Sequence, residues 1–202
     1  MERTFRYLVG IFLILSFVSC SNLNLEKKEK NQWVDSREWI INAEKLKIGD
    51  ILIKQKVLTN PMSWFGHVGI MVAYGMVGEY PRRDVGYIEV PVEIWLNEDR
   101  KIIVKRYKYF DKKFEKNFLG TIKRYRNRQY KLSFDKNDGR NFYCSSYVWQ
   151  MYLRTAKRVK DKNFDMNFKK ENLFIYPYDF IDIPNFENIE PVEIPELEGW
   201  IK

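Results

Sequence analysis

Apolar and polar positions follow three different patterns along this chain. From residue 7 to 18 nearly every position is apolar, with Arg3 and Arg6 ahead of the run. Between residues 51 and 107 the apolar positions come in short runs rich in β-branched side chains. The runs at 51–55, 67–74, 76–80, 85–90 and 101–107 predict five strands. Gly75, between the second and third, predicts a tight hairpin turn. Beyond residue 110 the spacing lengthens to three and four. Phe114, Phe118 and Ile122 predict a helix over 111–125, and Tyr147, Val148, Met151 and Tyr152 predict another over 144–159. Two shorter helices are predicted. One covers 35–45, with Asp35 or Ser36 as cap and Trp39, Ile40 and Ala43 on its apolar face. The other is opened by Pro91 and runs to Leu96. Residues 57–66 and 135–141 predict loops. The segment 176–200 holds four of the seven prolines and predicts an irregular strap over the body. Strands gather first and helices second, without internal repeats, so the expected class is α+β with an antiparallel sheet.

The first pattern has a separate meaning. A basic end, an apolar stretch of this length and then Phe17-Val18-Ser19-Cys20 describe an export signal. The stretch is shorter than the ~20 residues a comfortable membrane span needs. The last four residues resemble a bacterial lipobox, with Phe17 where Leu is preferred. Cys20 would then become the lipidated first residue of the mature protein. A plain secretory signal or an uncleaved anchor is the alternative. The polar stretch 21–32 has little to bury and predicts a flexible tether. The expected organisation is therefore a signal over 1–20, a tether over 21–32 and one domain over 33–202, in a membrane-anchored protein of the cell envelope.

Composition narrows the chemistry. Of 202 residues, 45% are hydrophobic and 16% aromatic, which supports a packed core. The formal net charge is +8, but Lys and Arg are spread among acids and aromatics, with no recognisable nucleic-acid module. A solvated lysine-rich surface is the reading, and no nucleic-acid partner is expected. There is one histidine, His67, and there are two cysteines, Cys20 and Cys144. That set is too small for a zinc site, so no metal and no cofactor are expected, although a carboxylate site for a hard cation stays open.

With Cys20 assigned to the anchor, Cys144 is alone in the mature domain. It opens a predicted helix, where the positive end of the helix dipole favours thiolate; burial instead would leave an inert thiol. His67 begins a strand directly after a glycine, as a core histidine also could. The two together are worth more, because a Cys–His pair makes thiolate at neutral pH. A third group usually orients the imidazole. Glu79, on the strand returning from Gly75, is the candidate, with Asp84 and Glu89 as rivals.

The order Gly49-Asp50-Ile51-Leu52, Gly66-His67-Val68-Gly69-Ile70, Gly78-Glu79 and Tyr143-Cys144-Ser145 resembles the YiiX/YaeF branch of the NlpC-like papain superfamily. In that branch the order is circularly permuted, with His before Cys. The segment Tyr176-Pro177-Tyr178-Asp179-Phe180-Ile181 is similar to the family's closing Pro-x-Asp stretch. The resemblance covers roughly residues 45 to 190. It implies a permuted papain-like (NlpC-like) fold, an antiparallel sheet or half-barrel packed against the nucleophile helix. It also implies hydrolysis or transfer at amide or ester bonds through an acyl-thioester. Carried over, Cys144 is the nucleophile, His67 the base and Glu79 the third polar group. Tyr143 helps line the oxyanion site, and Asp50 is a turn-former. Where the family often has an acid two residues after the nucleophile, this chain has Ser146. The expected enzyme is an envelope thiol amidohydrolase or peptidase acting on cell-wall peptides. Trp64 and Phe65 beside His67 could instead wall an apolar substrate, a lipid amide, an ester or a lipidated peptide. A non-enzymatic envelope lipoprotein that keeps the fold for binding is the alternative of another class.

Overall fold

The structure is a computed structural model that describes residues 33–57, 64–133 and 135–192. The expected export signal with Cys20, the expected tether 21–32, positions 58–63 of the loop before His67 and the tail beyond 192 lie outside the described residues. The described residues from Val34 onward form one compact unit.

The element order follows the hydrophobic pattern closely. Strand β1 (Val34–Asp35) leads into helix α1 (Ser36–Ile41), and the Asp35 carboxylate caps it by accepting the Arg37 N–H. The helix expected over 35–45 breaks at Asn42 and continues as a 3-10 turn, Ala43–Lys45. Then come β2 (Ile51–Lys54), β3 (His67–Ala73), β4 (Met76–Glu79), β5 (Ile88–Pro91), α2 (Val92–Leu96) and β6 (Lys101–Tyr107). Helix α3 (Lys112–Tyr125) is capped by Asp111, whose carboxylate accepts the Phe114 N–H. Two short strands follow, β7 (Gln129–Tyr130) and β8 (Asn141–Phe142), and then α4 (Cys144–Val159).

Three expectations are corrected. The strand expected over 85–90 begins only at Ile88, because Val85 and Gly86 donate back to the Arg82 carbonyl in a turn. The segment around 129–142 contains the pair β7–β8, which is parallel. The tail is not merely a strap. It contributes a 3-10 turn, Pro177–Phe180, and a strand β9 (Phe186–Ile189) that pairs with β6.

Among the described residues the main sheet has seven strands in the order β1-β6-β2-β3-β4-β5, with β9 on β6 as well, and every pairing is antiparallel. Because successive strand residues face opposite sides, the sheet has two apolar faces. Leu52, Met71, Val77, Ile102 and Val104 face one side and pack on Trp39 of α1 and on Val92, Trp95 and Leu96 of α2. Tyr107 faces the other side. There it joins an aromatic cluster with Phe114 of α3, Tyr152 of α4 and Phe186 of β9. The Tyr152 hydroxyl donates to the Gly49 carbonyl, tying α4 to the turn that starts β2.

Asp50 sits in that turn and is fully buried. It accepts the Lys47 N–H at 2.8 Å and two Arg106 donors, Nε and Nη2, each at 2.7 Å. Burial pushes its carboxyl up while the Arg106 guanidinium opposes that push. This side chain closes a turn and locks β2 to β6.

Candidate active site

The antiparallel registers bring three strand ends together. Lys54, the last residue of β2, lies opposite His67, the first of β3. Ile70 lies opposite Gly78, so Glu79 at the end of β4 sits across from Gly69, two residues from His67 on the same face. Helix α4 begins at Cys144, its first helical residue.

Tyr143 before it is extended, and Ser146 caps the turn. The Ser146 Oγ accepts the Tyr143 N–H at 2.9 Å and donates to the Tyr143 carbonyl at 3.1 Å. Ser146, at the position where the resembling family often has an acid, thus holds the helix start in place here. As the first helical residue, Cys144 has an N–H with no carbonyl partner inside the helix. Its thiol is half-buried, with the Ser145 Oγ 3.6 Å away.

His67 Nε2 lies 2.5 Å from Glu79 Oε2. The Cys144 thiol interacts with the same imidazole, and with Nε2 engaged by Glu79 the nitrogen that remains to serve it is Nδ1. Burial works against an imidazolium here, but the hydrogen bonds and charges of Cys144 and Glu79 outweigh it and raise the His67 pKa to about 9. The same contact acts in reverse on the partners. Burial would raise the Cys144 thiol and the Glu79 carboxyl, yet His67 brings both below their ordinary values. The contact therefore favours the thiolate, imidazolium and carboxylate forms of the three groups.

The rivals for the third position lie elsewhere. Asp84 pairs with Arg82 at the surface, and Glu89 accepts the Tyr87 hydroxyl at 2.9 Å. Tyr143 is buried, and its hydroxyl accepts the Ile175 N–H at 3.1 Å. Trp64 and Phe65 are exposed, Phe65 with its ring 6.1 Å from that of Tyr176.

Three site residues escaped the sequence reasoning. Trp95 of α2 donates its indole N–H to Glu79 Oε2 at 2.7 Å. Lys54, buried in β2, places its ammonium 3.9 Å over the Trp95 ring and 2.8 Å from Glu98 Oε1. Tyr130 lies opposite Phe142 in the β7–β8 pair, near enough to the thiol that burial and the Cys144 charge push its phenol to about 12. A buried lysine one strand from the only histidine was a visible signal. The indole and the phenol reach the site from elements whose placement no local pattern reveals.

Among the described residues no group of three or more His, Cys, Asp or Glu side chains is placed to hold a metal ion. The chemistry on view is proton movement between a thiol and an imidazole, with a carboxylate behind it.

Two comparisons bear on the family and the fold. Residues 45–189 match the model of the permuted papain-like amidase enzymes, YaeF/YiiX, C92 family. The crystal structure of the metalloprotein YiiX from Escherichia coli O157:H7 is similar in fold, with a TM-score of 0.52. It is 18% identical, and the match covers 72% of this chain and 97% of that one. No curated protein matches the chain. With 145 consecutive residues under one family model, and with the sheet and leading helix of that fold, the chain belongs to the YaeF/YiiX family of permuted papain-like amidases.

Proposed function

We propose that this protein is an envelope thiol amidohydrolase in which Cys144 is the nucleophile, His67 the general base and acid, and Glu79 the group that orients His67. One observation carries the reading: the protein's single imidazole is held at 2.5 Å by a buried carboxylate, and the Cys144 thiol at the start of α4 interacts with the same ring. The thiolate attacks the amide carbonyl, and the Cys144 N–H at the helix start meets the developing oxyanion. The phenols of Tyr130 and Tyr143, which feel the Cys144 charge, stay protonated through this step, each held at about 12. His67 gives its proton to the leaving amine, which breaks the C–N bond and leaves an acyl-thioester. It then takes a proton from water, hydroxide releases the acid, and the thiolate and imidazolium are restored.

Cell-wall stem peptides are the proposed substrates, because the export signal and the Cys20 lipobox would hold the domain at the envelope. A second reading rests on the exposed Trp64, Phe65 and Tyr176. Phe65, Tyr176 and Phe174 form a run of neighbouring rings that could seat an acyl chain, which makes lipid amides or lipidated peptides the alternative. Hydrolysis of purified peptidoglycan fragments and of N-acyl amides by wild type, compared with Cys144→Ala, tests both. Cleavage of either class by wild type alone supports the enzyme and selects the substrate. In parallel, iodoacetamide is expected to label wild type at pH 7 much faster than His67→Ala. Equal labelling rates would remove the ion pair and leave a binding protein with an inert thiol.

A further inference from the structure

Glu79 uses a single oxygen for two donors. Oε2 receives His67 Nε2 at 2.5 Å and the Trp95 indole N–H at 2.7 Å. The two rings lie 6.2 Å apart and tilted by 35°, so the carboxylate is gripped from both sides. Behind the indole, the Lys54 ammonium sits 3.9 Å from the ring centroid and bonds Glu98 at 2.8 Å. Lys54 is 3% exposed, an unusual place for a lysine with no part in the chemistry.

The backbone makes room for this arrangement. A Cβ on Gly69 would stand 2.6 Å from a Val77 methyl and 3.5 Å from the Trp95 ring. With glycine there, α2 lies close enough to the sheet for the indole to reach Glu79. Pro91, the last residue of β5 beside β4, is the N-cap of α2, so the helix starts directly from the sheet at Val92 and a short covalent path sets the reach of Trp95.

We propose, building on the hydrolase reading, that Trp95 and Lys54 are positioning residues: the indole N–H locks the Glu79 carboxylate in the rotamer that receives His67, and Lys54 clamps the indole from behind. The physical basis is familiar. A carboxylate with two donors is fixed, and a cation over an indole face attracts the ring quadrupole and favours the carboxylate beyond it. The charged groups facing Glu79 and its clamp are His67 of β3, Lys54 of β2, and Glu98 and Arg100 from the turn after α2. Arg82, exposed beyond β4, pairs with Asp84.

The test uses the full chain and needs no substrate. The rate of Cys144 alkylation by iodoacetamide is followed from pH 4 to 10 in wild type, Trp95→Phe, Lys54→Met and Lys54→Arg. Thermal melts of each variant confirm the fold. Trp95→Phe keeps the aromatic volume and deletes the donor. Its profile is expected to move toward higher pH, with labelling on the order of tenfold slower at pH 6, the size that loss of one hydrogen bond to a charged group implies. Lys54→Met is expected to move the profile the same way, and Lys54→Arg to restore it. In a Glu79→Gln background, Trp95→Phe is expected to add nothing, because the group it positions has changed.

An unshifted profile in folded Trp95→Phe, or equal shifts with and without Glu79, overturns the proposal. If Trp95→Phe does not fold, the Lys54→Met and Lys54→Arg pair decides, and identical profiles for those two overturn it. His67→Ala separates the two readings. Labelling as fast as wild type there would overturn the hydrolase itself, whereas slow labelling beside an unshifted Trp95→Phe profile overturns only the positioning role.

Discussion

At the scale of single residues, the Cys144–His67–Glu79 row sets the pH behaviour. His67 is raised to about 9, so its contribution to stability is complete below the unfolded value of 6.5 and is lost as pH rises through 9. Cys144 is lowered, so its contribution is complete above the unfolded value of 9.0 and is lost as pH falls through the folded one. Activity is expected to decline above about pH 9, as the acid that protonates the leaving amine disappears. Glu79 is lowered, so its stabilising effect is present above 4.5 and lost as pH falls through its folded value. Acid melts of wild type and Glu79→Gln are expected to converge below pH 4.5. Cys144 and His67 were readable in the sequence because His67 is the one histidine and Cys144 the one cysteine beyond residue 20. Glu79 followed from the Gly75 hairpin. Trp95 and Tyr130 were not legible, since their approach depends on how α2 and the β7–β8 pair pack against the sheet.

At the scale of elements, the start of α4 was legible to the residue, because an apolar face at helical spacing ends at a polar loop. The role of Ser146 was not. Removing its hydroxyl leaves the buried Tyr143 N–H without an acceptor. Ser146→Ala is expected to cost about 1 to 3 kcal/mol in urea unfolding and to slow Cys144 labelling. The strand β9 was missed for a physical reason. Phe186–Ile189 has two polar central residues and no local pattern, and its partner β6 lies some eighty positions earlier. Its anchor is Phe186, buried on Tyr107 and Tyr152. Phe186→Ala is expected to destabilise the domain by about 3 to 5 kcal/mol, read by thermal or denaturant melting.

At the scale of the whole molecule, the α+β class and the antiparallel sheet followed from the order of strands and helices. The final order of strands did not, because β6 pairs with β1, β2 and β9, all distant in the chain. The Asp50–Arg106 contact holds β2 to β6 at the end opposite Lys54. Asp50→Ala would leave the Arg106 guanidinium facing a buried space. A loss of about 3 to 5 kcal/mol is expected, with site geometry kept in whatever fraction stays folded. The arrangement of β1 and β9 has a wider consequence. Both lie along the same edge of β6 and run in the same direction. Ile189 stands opposite Val104 and Val34 opposite Ile102, roughly 7 Å apart along the strand. A one-residue link would fuse them into one continuous edge strand. New termini could then be opened among residues 131–140, and the cysteine would come before the histidine. The order of the two reactive residues is thus a property of where the chain is cut, while the sheet that unites them is indifferent to it.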